Sequence, residues 1–390
     1  MARLIGRRQV LAGAGAALAL AALEGCTARL GRPAGSSGLE LPALRARIDR
    51  ITAVTVCTRP FRAEGPRLEV ERLAEKTVVH NYGHGGSGWS LSWGSSAIAA
   101  DMALATGERD IAVIGCGALG LTSALLLQRA GAHVTIYAKA VPPNVRSSLA
   151  TGVWSPDSRI CLAEHATPEF RARWEAMTRA SFRTYQTMLG LPGRPVEYFE
   201  HYAVADRLER PRTGPAPVDG RPAFATTLAR ELVSDLLPHG EDLAPGTHPF
   251  GTRNVRRNTW MMFNLNHYAR LLVSDFLANG GKLEVVEFHS PADFAALPQK
   301  TLVNATGYGA RALLKDESLT PVRGQLARMI PQADIDYGLY YQGSAFVPRR
   351  DGMVFQVVGD DDYYGFGDAT STPDRAEAEL AVTTIAQLFP

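Results

Sequence analysis

Apolar positions change their spacing several times along the chain, and each change marks an element. Residues 53–57 (AVTVC) and 77–80 (TVVH) are short β-branched runs that read as strands. A glycine-dense stretch at 81–88 (NYGHGGSG) interrupts them, and a helix is expected over about 90–105. From Asp110 the pattern becomes a βαβ unit. IAVIG is a continuous apolar run suited to a buried strand, 118–130 is an apolar helix stopped by Gly131, and 133–137 (HVTIY) is the next strand. Farther on, 266–278 reads as a helix halted by Gly280 and Gly281, followed by strands at 283–288 and 301–305. Residues 192–250 are rich in Pro and Gly, with a strand candidate at 198–204, which suits a less regular region facing a substrate. A last helix is expected over 373–388, opened by Thr372 and Pro373. No internal repeat or low-complexity tract is present.

The 390 residues exceed one minimal core, so two domains are expected. With 46% hydrophobic and 21% charged residues and a net charge of +2, the chain has neither a disordered profile nor a basic field, and no nucleic-acid partner is expected. The first 26 residues differ from the rest. Arg7 and Arg8 precede a weakly apolar run at 10–23, the pattern of a twin-arginine export signal; an ordinary secretory signal or an uncleaved anchor would look similar. Leu23 to Cys26 resembles a lipoprotein cleavage box with Glu24 out of place, which leaves membrane attachment through a lipidated Cys26 open. The expected location is therefore outside the cytoplasmic membrane, periplasmic or membrane-anchored. Residues 27–41 form a linker, with 31–38 its Gly/Ser/Pro-rich tether. Cys26, Cys57, Cys116 and Cys161 show no metal-ligand spacing, so no metal is expected and the cysteines read as free and buried.

Gly115, Gly117 and Gly120 form GxGxxG directly after a strand and at the opening of a helix, where the motif carries physical meaning. The first glycine permits the turn, the second lets a diphosphate approach the backbone between Ala118 and Leu119, and the third packs helix on strand. The acid usually found some 20 residues on is missing, because no Asp or Glu occurs between Asp110 and Asp157. Lys139 stands where it is expected. Ser147 and Ser148 are candidates for the adenosine ribose, and Lys139 leaves an NADP-dependent dehydrogenase as the runner-up.

At 146–156 (RSSLATGVWSP) and 81–88 (NYGHGGSG) the chain resembles the D-amino-acid oxidase family of FAD enzymes, as it does at Thr306–Gly307 and at Arg323, Gly324 and Gln325. The resemblance implies an α/β fold with a Rossmann-like FAD-binding domain and a mixed-sheet substrate domain. It also implies a flavin contacted by Ser147, Ser148, Thr151, Gly152, Trp154, Thr306, Gly307, Gly85, Gly86, Ser87, Gly88, Trp89 and Ser90. In the family the NYGHGGxG stretch follows the substrate domain, whereas here it precedes GxGxxG. Residues 51–104 thus resemble the family's C-terminal tail moved to the front, a circular permutation that requires Pro390 to lie near the start of the folded part, around residues 41–47.

Within the moved tail, Arg59 and Pro60 match the family's RP pair, whose arginine binds the substrate carboxylate. Tyr341 matches a tyrosine over the substrate, and the Gly86 carbonyl is expected to orient the amine. Two further family tyrosines fall on Ala345 and Asp157, so the side-chain pocket differs. His84 reads as structural, since hydride transfer from a neutral amine needs no strong protein base. Expected boundaries are 77–158 with 258–325 for the FAD domain, and 42–76, 159–257 and 326–390 for the substrate domain. The resemblance points to oxidation of a small amino-acid-like substrate at its CH–NH group, and a non-catalytic exported binding protein of the same fold is the alternative from another class.

Overall fold

The computed structural model describes residues 38–207, 220–359 and 361–389. The expected export signal, Cys26, the tether as far as residue 37, and Pro390 lie outside the described residues. The described chain enters along β1 (Ile51–Arg62), β2 (Arg67–Leu73) and β3 (Lys76–Tyr82), followed by α1 (Gly88–Leu104), β4 (Asp110–Ile114), α2 (Ala118–Arg129) and β5 (His133–Ala138). Next come α3 (Pro168–Gln186), β6 (Val196–Ala205), β7 (Glu241–Leu243), β8 (Asn254–Phe263), α4 (Leu265–Ala278), β9 (Lys282–Val285) and β10 (Thr301–Asn304). The remainder is β11 (Leu319–Met329), β12 (Tyr337–Tyr341), β13 (Ser344–Val347), β14 (Met353–Val357) and α5 (Arg375–Ala386), with short helical turns between these elements.

Two sheets organise this order. The six-stranded sheet runs β2-β3-β10-β4-β5-β9, parallel throughout except for the β2–β3 hairpin at its edge. Its central strand β4 is buried from Ile111 to Ile114, as a parallel strand covered on both faces must be. The eight-stranded sheet runs β1-β11-β14-β13-β12-β6-β8-β7 and is antiparallel apart from β12 beside β6. The mixed α/β architecture is therefore the one expected.

The domain limits shift, however. β2 lies in the six-stranded sheet although residues 42–76 were expected on the substrate side. β8 and β11, which overlap the two ends of the expected nucleotide segment 258–325, lie in the eight-stranded sheet. Two ends also move. β9 stops at Val285 and not at Phe288, and α5 starts at Arg375 because Asp374, not Thr372, caps it by accepting from the N–H groups of Ala376 and Glu377 at 2.9 and 3.3 Å.

α1 is buried along most of its length, yet four of its buried residues are serines. Ser95 and Ser96 form a polar network with the end of β3 and with α2. Asn81 donates to Ser96 and Ser123 and accepts from Ser95, while Ser96 pairs with Thr122. Small residues let the helices approach closely: a Cβ on Gly94 would lie 2.1 Å from the Met177 carbonyl of α3. At the other pole, Leu388 and Phe389 share one apolar cluster with Leu39, Leu41, Leu44 and Ala46, and Arg375 donates to the Ile48 carbonyl at 3.1 Å. The two ends of the described chain meet there.

Candidate active site

One cavity of about 1250 Å³ runs between the two sheets. It begins where β4 turns into α2, and Gly115, Gly117, Ala118 and Leu119 line it. Gly120 does not line it: a Cβ there would lie 2.0 Å from the Gly115 carbonyl, so its role is to seat the helix against the strand. Ser147, Thr151, Gly152, Trp154, Thr306, Gly307, Gly85, Gly86, Gly88 and Trp89 all line the same cavity, from three further stretches of chain.

Three expected contacts are corrected. Ser87, Ser90 and Ser148 are buried behind the wall; Ser87 donates to the Ser158 carbonyl and Ser90 accepts from the Ser155 N–H. Ser147 sits at the start of α2, where its hydroxyl accepts from the Ala118 N–H at 3.2 Å, and so belongs to the diphosphate turn and not to the ribose. The walls fit a flat, phosphorylated cofactor. A Cβ added at Gly307 would meet nothing within 4 Å and one at Gly117 only Ser147, so the main chain is open to a ligand at both places. The Trp154 indole nitrogen is buried in the wall without a hydrogen-bond partner.

The far end is walled by side chains from the eight-stranded sheet. Arg59, on β1 opposite Val322, donates to the Arg323 carbonyl at 3.0 Å and has no carboxylate partner among the described residues. A Cβ on Gly324 would lie 2.6 Å from its guanidinium, which explains why the RGQ tripeptide carries a glycine there. Arg323 itself turns away to pair with Glu377 at 2.6 Å. Arg159, buried to 9% exposure, donates to the Asp362 carbonyl at 2.6 Å; burial first, and then Arg59, push its guanidinium down to about 10. His201 stacks on Trp260 with ring centroids 3.6 Å apart and leaves Nδ1 unpartnered, and burial takes it down to about 3. Tyr340, Ala345 and Gln356 complete this wall.

Tyr341 does not cover the site. Strand alternation sends Tyr340 to the cavity and Tyr341 to the opposite face, where its hydroxyl donates to the Asp206 carboxylate at 3.0 Å and its ring packs in the core with α5. Asp157 is also absent from the wall; its carboxylate accepts from the Ala229 N–H at 3.1 Å. His84 lies in the wall, but burial lowers it to about 3 and its Nε2 is within 2.8 Å of the Ser95 hydroxyl, which makes it a neutral brace for the glycine loop.

At the nucleotide end, Lys139 lies 3.1 Å from Glu287, and both line the cavity. The carboxylate beside Lys139 repels a 2′-phosphate, which removes the observation favouring NADP.

The family model DAO, described as FAD dependent oxidoreductase, matches residues 110–390. A D-amino-acid oxidase of Rubrobacter xylanophilus is 28% identical over 292 residues, covering 71% of this chain and 76% of its own length. A D-amino-acid oxidase of Streptomyces coelicolor is 27% identical over 293 residues, covering 73% of this chain and 79% of its own. Among solved structures, iminodiacetate oxidase from Chelativorans sp. BNC1 aligns with a TM-score of 0.47 at 16% identity, over 71% of this chain and 77% of that one.

Proposed function

The chain belongs to the DAO family of FAD-dependent oxidoreductases, and from that premise we propose that it oxidises the CH–NH group of a D-amino acid or a related amino-acid-like amine. The observation that carries this reading is Arg59, a guanidinium with no carboxylate partner among the described residues, in the cavity that the glycine loops also line. A planar fork in that position grips a carboxylate through two parallel hydrogen bonds.

FAD, when bound, accepts the hydride lost by the substrate carbon. The chain supplies position and surroundings. Gly115, Gly117, Ala118 and Leu119 would offer main chain and the helix N-terminus to the diphosphate, while Thr151, Gly152, Thr306, Gly307, Gly85, Gly86, Gly88 and Trp89 would hold the ring system. Arg59 fixes the carboxylate, and the Gly86 carbonyl accepts from the amine. Glu287, at the nucleotide end, is the one carboxylate in the described wall, so no acid near Arg59 holds the amine as an ammonium ion. That favours the neutral amine, the form able to release hydride. Arg159 adds a second cation, which favours a substrate carrying a second acid on its side chain. The meeting of the two ends of the described residues, and a family match that starts only at residue 110, support the circular permutation as well.

The test is reduction of the bound flavin by D-amino acids in wild type and Arg59→Ala. Truncating a buried, hydrogen-bonded charge partner costs about 2–5 kcal/mol, or roughly 30-fold to several thousand-fold in affinity. Carboxylate substrates should weaken by that factor and uncharged amines should not, with flavin content unchanged and Arg59→Lys recovering only part. Unaltered efficiency on carboxylates in Arg59→Ala would reduce Arg59 to a bystander, and a flavin that no amine reduces would favour the non-catalytic alternative.

A further inference from the structure

Enzymes that bind an adenosine dinucleotide at GxGxxG usually hold the ribose diol with an acid at the end of the second strand of the βαβ unit. Here that strand, β5, ends at Ala138 and is followed by Lys139, which cannot accept a hydrogen bond. The next strand in the sheet supplies what β5 lacks. β9 lies parallel to β5, with Tyr137 opposite Glu284 and Ala138 opposite Val285, and the Val286 N–H continues the pairing by donating to the Ala138 carbonyl at 3.1 Å. Continued by one residue, this register sets Lys139 opposite Val286, and just past the end of β9 the Glu287 side chain turns to meet Lys139 at 3.1 Å.

Both residues face the cavity, at the end it shares with Ala140, Asn144, Phe288 and His289. Among the described residues Glu287 is the one carboxylate in the whole cavity wall. Each has more than half of its side chain exposed, 63% for Lys139 and 52% for Glu287, so neither is committed to the core. An ion pair between such exposed partners contributes little to stability, about 0–1 kcal/mol, so stability alone does not account for an acid there.

We propose that Glu287 is the ribose acid of this protein, moved from the end of β5 to the extension of β9. Its carboxylate accepts from the 2′- and 3′-hydroxyls of the FAD adenosine, and Lys139 steadies it from the other side. The acid and its partner have exchanged strands, which hides the acid from any search forward from GxGxxG: Glu287 lies 167 positions beyond Gly120 (287 − 120). The inference rests on FAD lying along the GxGxxG turn and not on the identity of the substrate.

The test is titration of the flavin-free full chain with FAD and with an FAD analogue whose adenosine lacks the 2′- and 3′-hydroxyls, followed by flavin fluorescence and needing no turnover. Hydrogen bonds to a charged acceptor typically contribute about 1.5–3 kcal/mol, so wild type should bind the analogue roughly 10- to 150-fold more weakly than FAD. Glu287→Gln should bind FAD more weakly and lose most of that discrimination, whereas Lys139→Met should keep most of it. If Glu287→Gln discriminates as well as wild type, or if wild type does not discriminate at all, Glu287 is only the surface partner of Lys139. Neither result would touch the amine-oxidising reading, which Arg59→Ala tests separately.

Discussion

The two ends of the cavity are built by different means. At the flavin end, constraint lies in the main chain: Gly85 holds a φ of +54°, and a Cβ there would lie 1.9 Å from the Arg159 carbonyl, while Gly120 is pressed against Gly115 at 2.0 Å. Neither neighbour can move aside, because both are backbone. At the substrate end, constraint lies in side chains standing on strands. Arg59, His201, Trp260, Tyr340 and Gln356 come from β1, β6, β8, β12 and β14, and each reaches the cavity through the pleat of its strand. Backbone constraint demands glycine and leaves a signature in sequence; side-chain constraint tolerates many residues and leaves little.

The sharpest way to break this contrast is at Gly117. A Cβ there meets only the Ser147 hydroxyl at 3.3 Å, so Gly117→Val should fold while its side chain fills the space of the diphosphate. We expect colourless protein, FAD affinity lowered roughly 100-fold or more, and a flavin-free melting temperature close to wild type. A yellow variant with full flavin content would put the nucleotide elsewhere.

The second expectation concerns Arg159, buried beside another cation with the Asp362 carboxylate 3.7 Å away, where a further anion would be favoured. Arg159→Met should lower the efficiency with D-aspartate or D-glutamate by about 10- to 100-fold relative to D-alanine, judged from the strength of charge-assisted hydrogen bonds. An equal loss on all three would mean that Arg159 serves the shared carboxylate or only the Asp362 loop.

Legibility followed the same division. The βαβ unit and the glycine loops could be read from the sequence because each rests on glycine or on a long apolar run, whereas α1 showed as a helix but its serines hid its burial. α3 is poorly legible, although Thr167 caps it, Pro168 opens it, and Phe170, Trp174, Met177 and Tyr185 form its buried stripe; polar and charged residues between them blur the period. Glu287 is out of reach of the sequence because it meets Lys139 only once β9 has paired with β5, not through spacing along the chain. Asp157 was weighed as a replaced tyrosine, but its carboxylate is occupied by the Ala229 N–H.

That buried carboxylate gives the third expectation. Burial pushes Asp157 up from 3.8 to about 6. A carboxyl whose folded value lies above its unfolded one favours folding while protonated, and this advantage is lost as pH rises through about 6. Asp157→Asn keeps an acceptor for Ala229 without the charge, so it should stabilise the fold by about 1–3 kcal/mol at pH 8. The gain should shrink between pH 6 and 4 and vanish below it. A pH-independent difference in urea midpoint would show that the carboxylate stays charged and well solvated.

The smallest effect separates two adjacent tyrosines. β12 carries Tyr340 and Tyr341 side by side, and the pleat sends them to opposite faces. Tyr340 lines the cavity, whereas the Tyr341 hydroxyl is held by Asp206 under the Arg253 guanidinium, 5.4 Å from the ring centre. Tyr340→Phe removes one hydroxyl from the substrate wall, and a hydrogen bond of about 0.5–1.5 kcal/mol corresponds to a rise of roughly 2- to 10-fold in KM. Tyr341→Phe should leave KM unchanged and instead lower the melting temperature, because the Asp206 carboxylate loses a donor. The two readouts should not cross. If Tyr341→Phe raises KM while Tyr340→Phe does not, β12 presents the opposite face to the cavity, and the side-chain end of the site must be redrawn from the strand register upward.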